Sequence, residues 1–372
     1  MRVLVVPDSF KGSLGAEEVC DVVRAAFEER GAEVGTIPVA DGGEGSVDAL
    51  LLGAGGERRT DKVTGPYGEK VHADRAILRN GDAVVELAQA AGLTLVGEDR
   101  RAQDTTTYGV GEQILAAVRD GADRVIVAIG GSATNDGGCG AAAACGVRFR
   151  DADGEEFVPT GATLARIASI DPEGLDDVVR AADIVAMCDV DNPLTGPKGA
   201  SAIFGPQKGA DPATVAMLDA GLAHLAAVIR RDLGVDVEHL EGAGAAGGMG
   251  AALVAFFGGE LQRGIDVVLD AVGFDRRVRG VDAVVTGEGS FDSQSLHGKV
   301  IHGIATRAHR AGVPVHVLAG RVDPEVAAAA EPLGIASATS ITPEGTPIEA
   351  AMAGARDNLA RAAAELAGQL TS

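Results

Sequence analysis

Tryptophan is absent, and aromatic residues make up only 3% of the 372-residue chain. Ala, Val, Leu and Ile must therefore fill the core, and a chain of this length can bury a large one without disulfide or metal staples. Cysteine is scarce too. Cys20, Cys139, Cys145 and Cys188 make no C-x-x-C pair and no zinc spacing. Their apolar or glycine-rich surroundings read as buried free thiols of a reducing compartment. Positive charge is also short: 32 Lys and Arg stand against 54 Asp and Glu, a formal net charge of -22. Such a chain repels nucleic acid and anionic membranes, so neither is expected as a partner. No uncharged run approaches the ~20 residues of a membrane helix, and the apolar run Val3–Val6 is too short for a signal-peptide core. A cytoplasmic monomer or homodimer is expected.

What is present is a set of short apolar runs that end in polar, glycine-rich loops. Val3–Val6 reads as a buried parallel strand. A helix capped by Ser13 follows it to about Arg30, and then a second strand, Val34–Val39. Between Thr60 and Glu86 the residues alternate, and Asn80-Gly81 marks a hairpin. Apolar runs at Ala283–Thr286, Val315–Leu318 and Ser337–Ile341 restore the first style, and one Ala-rich helix, about Ile348–Ala367, closes the chain. Five strands shared by the two chain ends predict a doubly wound parallel sheet from 1–60 and 281–372. Residues 61–280 are then an inserted α/β domain with a mixed sheet, and the active site is expected in the cleft between. Loops at strand C-termini lie on the ligand edge of such folds.

Those loops carry the candidate chemistry. Asp8, Ser9 and Lys11 follow the first strand, Lys11 being one of only six lysines. Asp41 and Glu44 stand among three glycines, where they would hold Mg²⁺ or a hydroxyl. Gly130, Gly131, Ser132, Thr134, Asn135 and Asp136 form a strand-to-helix loop of the kind whose backbone N–H groups bind phosphate or carboxylate. It lacks the Gly-Lys-Ser/Thr ending of a Walker loop. Asp189 and Asp191 point the same way if their strand continues, and either would act as base or metal ligand. Lys208 sits in a Gly/Pro loop that reads as a lid over phosphates or as a plain surface loop. Gly287, Glu288, Gly289, Ser290, Asp292, His297 and Lys299 follow a late strand. Gly242–Gly247 matches G-x-G-x-x-G, but no buried strand precedes it, so it reads as a tight helix entry.

Taken in order, six segments resemble the bacterial glycerate kinase family. They are Pro7–Ser13, Pro38–Gly45, Gly130–Gly140, Cys188–Pro193 with Gly205–Gly209, Gly247–Gly250 and Thr286–Asp292. The resemblance covers essentially the whole chain. It implies a flavodoxin-like domain split by a second one, ATP and D-glycerate as substrates, Mg²⁺ as cofactor, and phosphoglycerate as product, the 2-isomer favoured over the 3-isomer. On this reading Asp189 or Asp191 orients or deprotonates the attacking hydroxyl. Lys11 and Lys299 neutralise phosphates with the help of loop amides, and Asp41, Glu44 or Asp292 holds Mg²⁺. Three rivals remain: a kinase of another small hydroxy acid, an NAD-dependent hydroxyacid oxidoreductase built on the Gly242 motif, and a sugar-acid-binding regulator.

Overall fold

A computed structural model describes residues 1–10, 12–39, 45–296 and 299–371. Lys11, Asp41, Glu44 and His297 lie outside the described residues. The chain divides into two units. The first comprises Met1–Asp41, Asp48–Ala54 and Ile265–Ser372, the second Gly42–Val47 and Gly55–Gly264. The boundary expected at 280/281 thus falls at 264/265, because the segment from 265 to 280 packs with the first unit. A Cβ on Gly53 would lie 2.8 Å from Val272, one on Gly303 would lie 2.8 Å from Ile265, and Arg277 donates to the Thr36 carbonyl at 2.7 Å. At the other junction the strand Gly56–Thr64 draws residues 55–60 into the second unit.

Five parallel strands form the sheet of the first unit, in the order Ile335–Ser340, Val315–Ala319, Ala283–Thr286, Arg2–Val5, Glu33–Thr36. Apart from exposed Arg2 and buried His316, the middle three are mainly apolar and buried, as parallel strands covered on both faces must be. The outer two are half-exposed, so the expectation of five buried strands holds only for the centre. Val3 lies opposite Ala283. From this central pair the next strands run outward in opposite directions, which puts the topological switch point between them.

Helix Ala16–Glu28 places Val19, Val23, Ala26 and Phe27 on one face, at the spacing of an amphipathic helix. They share a core with Leu359, Ala363 and Leu366 of helix Ala355–Leu370. Ser13 does not cap the first helix. Its hydroxyl donates to the Phe10 carbonyl at 2.9 Å, and Gly15 is the N-cap residue. The single closing helix expected from 348 is two, Ile348–Ala353 and Ala355–Leu370, broken at Gly354.

The second unit holds a mixed sheet in the order Glu260–Gln262, Asp183–Met187, Arg124–Ala128, Ala83–Glu86, Lys70–Leu78, Gly56–Thr64. The first four strands are parallel and the last two form antiparallel pairings, with Asn80-Gly81 in the turn between Lys70–Leu78 and Ala83–Glu86. Helix Pro212–Leu233 is long and apolar enough to cross a membrane by length and composition. Here it buries Leu218, Leu222, Leu225 and Ile229 within the unit. No strand leads into Gly242–Gly247. Ala246 and Gly247 are left-handed at φ 53° and 68°, and a Cβ on Gly247 would stand 2.0 Å from the Thr134 carbonyl oxygen. The glycine serves a close crossing of two chain segments, not a pyrophosphate turn.

Candidate active site

The first unit's strand C-termini surround a cavity of about 1030 Å³. Asp8, Ser9 and Phe10 reach it from the loop after Arg2–Val5, and Glu288, Ser290 and Asp292 from the loop after Ala283–Thr286. The two loops are tied together, since the Asp8 N–H donates to the Gly287 carbonyl at 2.9 Å. Gly287 itself is buried behind the cavity wall, and Gly289 lines it. Ser290 stands in register with Arg321 in a two-stranded parallel pairing, which brings that cation to the rim. Ser295 stitches the acidic loop by donating to the Ser290 carbonyl at 3.2 Å and accepting from the Asp292 N–H at 3.1 Å. Lys299 is the N-cap residue of helix Val300–Arg310 and lines the cavity, so an ammonium and a helix N-terminus meet there.

Glu288 is the unusual carboxylate of this group. Burial, reinforced by the charge of Asp8 and opposed by a hydrogen bond from Ser295, pushes it up to about 7. Its Oε1 is buried without a hydrogen-bond partner. A buried oxygen in that state is costly unless a ligand, ion or proton satisfies it.

The glycine loop of the second unit departs from expectation. Gly130 and Gly131 are accessible, but Ser132, Thr134, Asn135 and Asp136 are buried. Asp136 spends its carboxylate internally, accepting from the Thr107 N–H and hydroxyl at 2.8 Å each and from the N–H groups of Gly138 and Gly140. Asn135 bonds Ser201 at 3.2 Å. Lys208 is no lid residue: it is 2% exposed, and its ammonium donates to Ser132 Oγ and the Thr134 carbonyl, both at 2.7 Å. Burial holds it down at about 7, with Asp136 opposing, and burial likewise raises Asp136. Ser132, Asn135 and Asp136 find partners inside the protein and so build the loop, whereas the Thr134 hydroxyl is buried without one among the described residues.

Asp189 and Asp191 follow the strand Asp183–Met187, which ends before them, so the alternation that would align them does not apply. Asp189 accepts from the Gly264 N–H at 2.9 Å, and Asp191 is exposed. Three features escaped the sequence reading. Glu86, 1% exposed, accepts from the N–H groups of Gly45 and Val47 at 2.9 and 3.3 Å. Ser295 and the wall made by Ile348 and Met352 also went unmarked. The strand-end loop Thr342-Pro343-Glu344-Gly345 was the available signal for that wall. Among the described residues, no group of three or more His, Cys, Asp or Glu side chains forms a metal cage.

A ligand cavity at the C-terminal edge of a parallel sheet, beside its switch point, marks an α/β enzyme that acts on small molecules. The glycerate kinase family model matches residues 3–371, and the chain belongs to that family of phosphotransferases. It is 44% identical over 374 residues to the glycerate kinase of Bacillus subtilis, covering 100% of this chain and 98% of the relative. It is equally similar, with the same coverage, to the glycerate 2-kinase of Escherichia coli. A solved structure from Salmonella typhimurium, assigned as a glycerate kinase 2, superposes with a TM-score of 0.89 at 42% identity, covering 100% of this chain and 98% of that one.

Proposed function

We propose that the protein transfers the terminal phosphoryl group of ATP to D-glycerate, at the 2-hydroxyl, and that the first unit's cavity holds the nucleotide. The family match across residues 3–371 carries the reaction, and the name of the Escherichia coli relative supports the position. Size supports the placement: about 1030 Å³ far exceeds what glycerate alone fills and suits a nucleotide. The strand order of the first unit, read outward as second, first, third, fourth, fifth, supports a flavodoxin-like kinship. Four free thiols support a reducing, cytoplasmic setting.

Phosphoryl transfer asks a protein mainly for positioning and charge neutralisation. Lys299, Arg321 and the N-terminus of helix Val300–Arg310 neutralise phosphate oxygens. Mg²⁺ fits the cavity: the orphaned Oε1 of Glu288 and the carboxylate of Asp292 are hard oxygen donors. Mg²⁺ is commonly held by one or two carboxylates and the substrate's phosphates, without a protein cage. Bound there, the ion would neutralise charge on the phosphates. Asp191 orients or deprotonates the attacking hydroxyl, while Asp189, fixed on the Gly264 N–H, sets the loop that carries it.

Phosphorus NMR of the product from ATP, Mg²⁺ and D-glycerate tests both claims. A 2-phosphoglycerate signal is expected, a 3-phosphoglycerate signal would overturn the position, and unconsumed ATP would overturn the function.

A further inference from the structure

The cavity of the first unit has one wall unlike the others. Helix Ile348–Ala353 lines it with Ile348, Ala351 and Met352, and Ala355, the first residue of the next helix, lines it too. Ile348, Ala351 and Met352 are spaced i, i+3, i+4, the spacing of one helix face. Such a stripe normally faces a core, yet Ile348 is 74% exposed and Met352 40%. Ile348 is thus the most exposed large apolar side chain among the described residues. Met352 is held in place on the loop after the first strand, since a Cβ on Gly12 would stand 2.6 Å from its terminal methyl. Buried Phe10 and Ile341 extend the apolar lining, whereas Glu288, Asp292, Lys299 and Arg321 supply charge to the same space.

A cavity that is apolar on one wall and charged elsewhere selects a ligand with an apolar flat body and a charged, metal-binding tail. Glycerate has no such body, and a nucleoside triphosphate does. We propose that Ile348 and Met352 form the nucleobase subsite, packing against the adenine ring of ATP; this rests on reading the cavity as the ATP site. An aliphatic side chain and a thioether against a ring face fit by shape and dispersion. Discrimination among purines is then expected to be weak compared with that for the triphosphate, because apolar packing reads ring size better than ring edges.

The test compares wild type, Ile348→Ser, Ile348→Leu and Lys299→Ala, measuring the KM for ATP, the KM for glycerate, and inhibition by inorganic tripolyphosphate, which carries the tail without the base. Ile348→Ser is expected to raise the KM for ATP roughly tenfold, as loss of one buried aliphatic contact implies. It should leave glycerate KM and tripolyphosphate inhibition unchanged, and Ile348→Leu should restore the ATP value. An unchanged ATP KM in Ile348→Ser overturns the subsite, and so does an equal weakening of ATP and tripolyphosphate. Lys299→Ala separates the two levels. If it weakens both ligands while Ile348→Ser weakens neither, the cavity remains the ATP site and only the base subsite falls. If it weakens neither, the nucleotide lies elsewhere and both readings fall together.

Discussion

Lys208 Nζ donates to Ser132 Oγ at 2.7 Å across 76 positions of sequence. The bond clamps the glycine loop of the second unit from behind, and the clamp is an ammonium buried among neutral acceptors. Its cost is pH-dependent. Lys208 titrates at about 7 in the folded protein against an ordinary 10.5. Between these values the unfolded chain binds the extra proton, so stability rises with pH there. The contribution is complete above the unfolded value and lost as pH falls through 7. Thermal melts of wild type and Lys208→Met at pH 6.5 and 9.5 should therefore show the difference moving in favour of wild type at the higher pH. A difference that does not change with pH contradicts this account.

Asp191→Asn is expected to lower kcat by about 100-fold or more, the usual worth of a positioned base. The side chain is exposed, so the melting temperature should stay within a degree or two of wild type. Steady-state kinetics beside a melting curve decide it, and near-normal turnover removes Asp191 from the chemistry.

Glu288→Gln keeps the shape of the side chain and removes its charge. The Mg²⁺ concentration for half-maximal rate should rise about tenfold, the equivalent of one charge-assisted contact. Titrating Mg²⁺ at saturating ATP and glycerate measures it. An unchanged Mg²⁺ dependence means the orphaned oxygen serves another partner.

Gly247→Ala should destabilise the protein by about 2–3 kcal/mol, the cost of a left-handed non-glycine residue joined to a steric clash. The new Cβ would meet the Thr134 carbonyl oxygen at 2.0 Å. Chemical denaturation reads the loss. An unaffected midpoint would mean that the crossing relaxes freely.

The sequence made the central strands plain, because continuous runs such as Ala283–Thr286 have no other economical place than a covered parallel sheet. The loops at their C-termini followed from topology, which is why Asp8, Glu288, Asp292 and Lys299 share one cavity. Burial of side chains in loops was not legible. Asp136 and Lys208 look like ligand-binding groups in sequence, and only tertiary packing shows that Thr107 and Ser132 consume their hydrogen bonds. The break at Gly354 was hidden by strong alanine helix propensity on both sides. With it was hidden the independent orientation of Ile348 and Met352.

The pairing of Arg2–Val5 with Ala283–Thr286 has a consequence for how the chain is made. On the ribosome the first strand can meet Glu33–Thr36 early, but its other neighbour, Ala283–Thr286, does not exist until the whole second unit has been synthesised. That unit is nearly continuous, from Gly55 to Gly264, and can collapse as soon as it leaves the exit tunnel. The N-terminal strand and helix meanwhile expose apolar surface, a hazard typical of pairings distant in sequence. Vectorial synthesis thus completes the inserted unit first and the discontinuous one last, so a chain truncated shortly before Ala283 would carry a finished insert and an unprotected N-terminal segment that chaperones or proteases would engage.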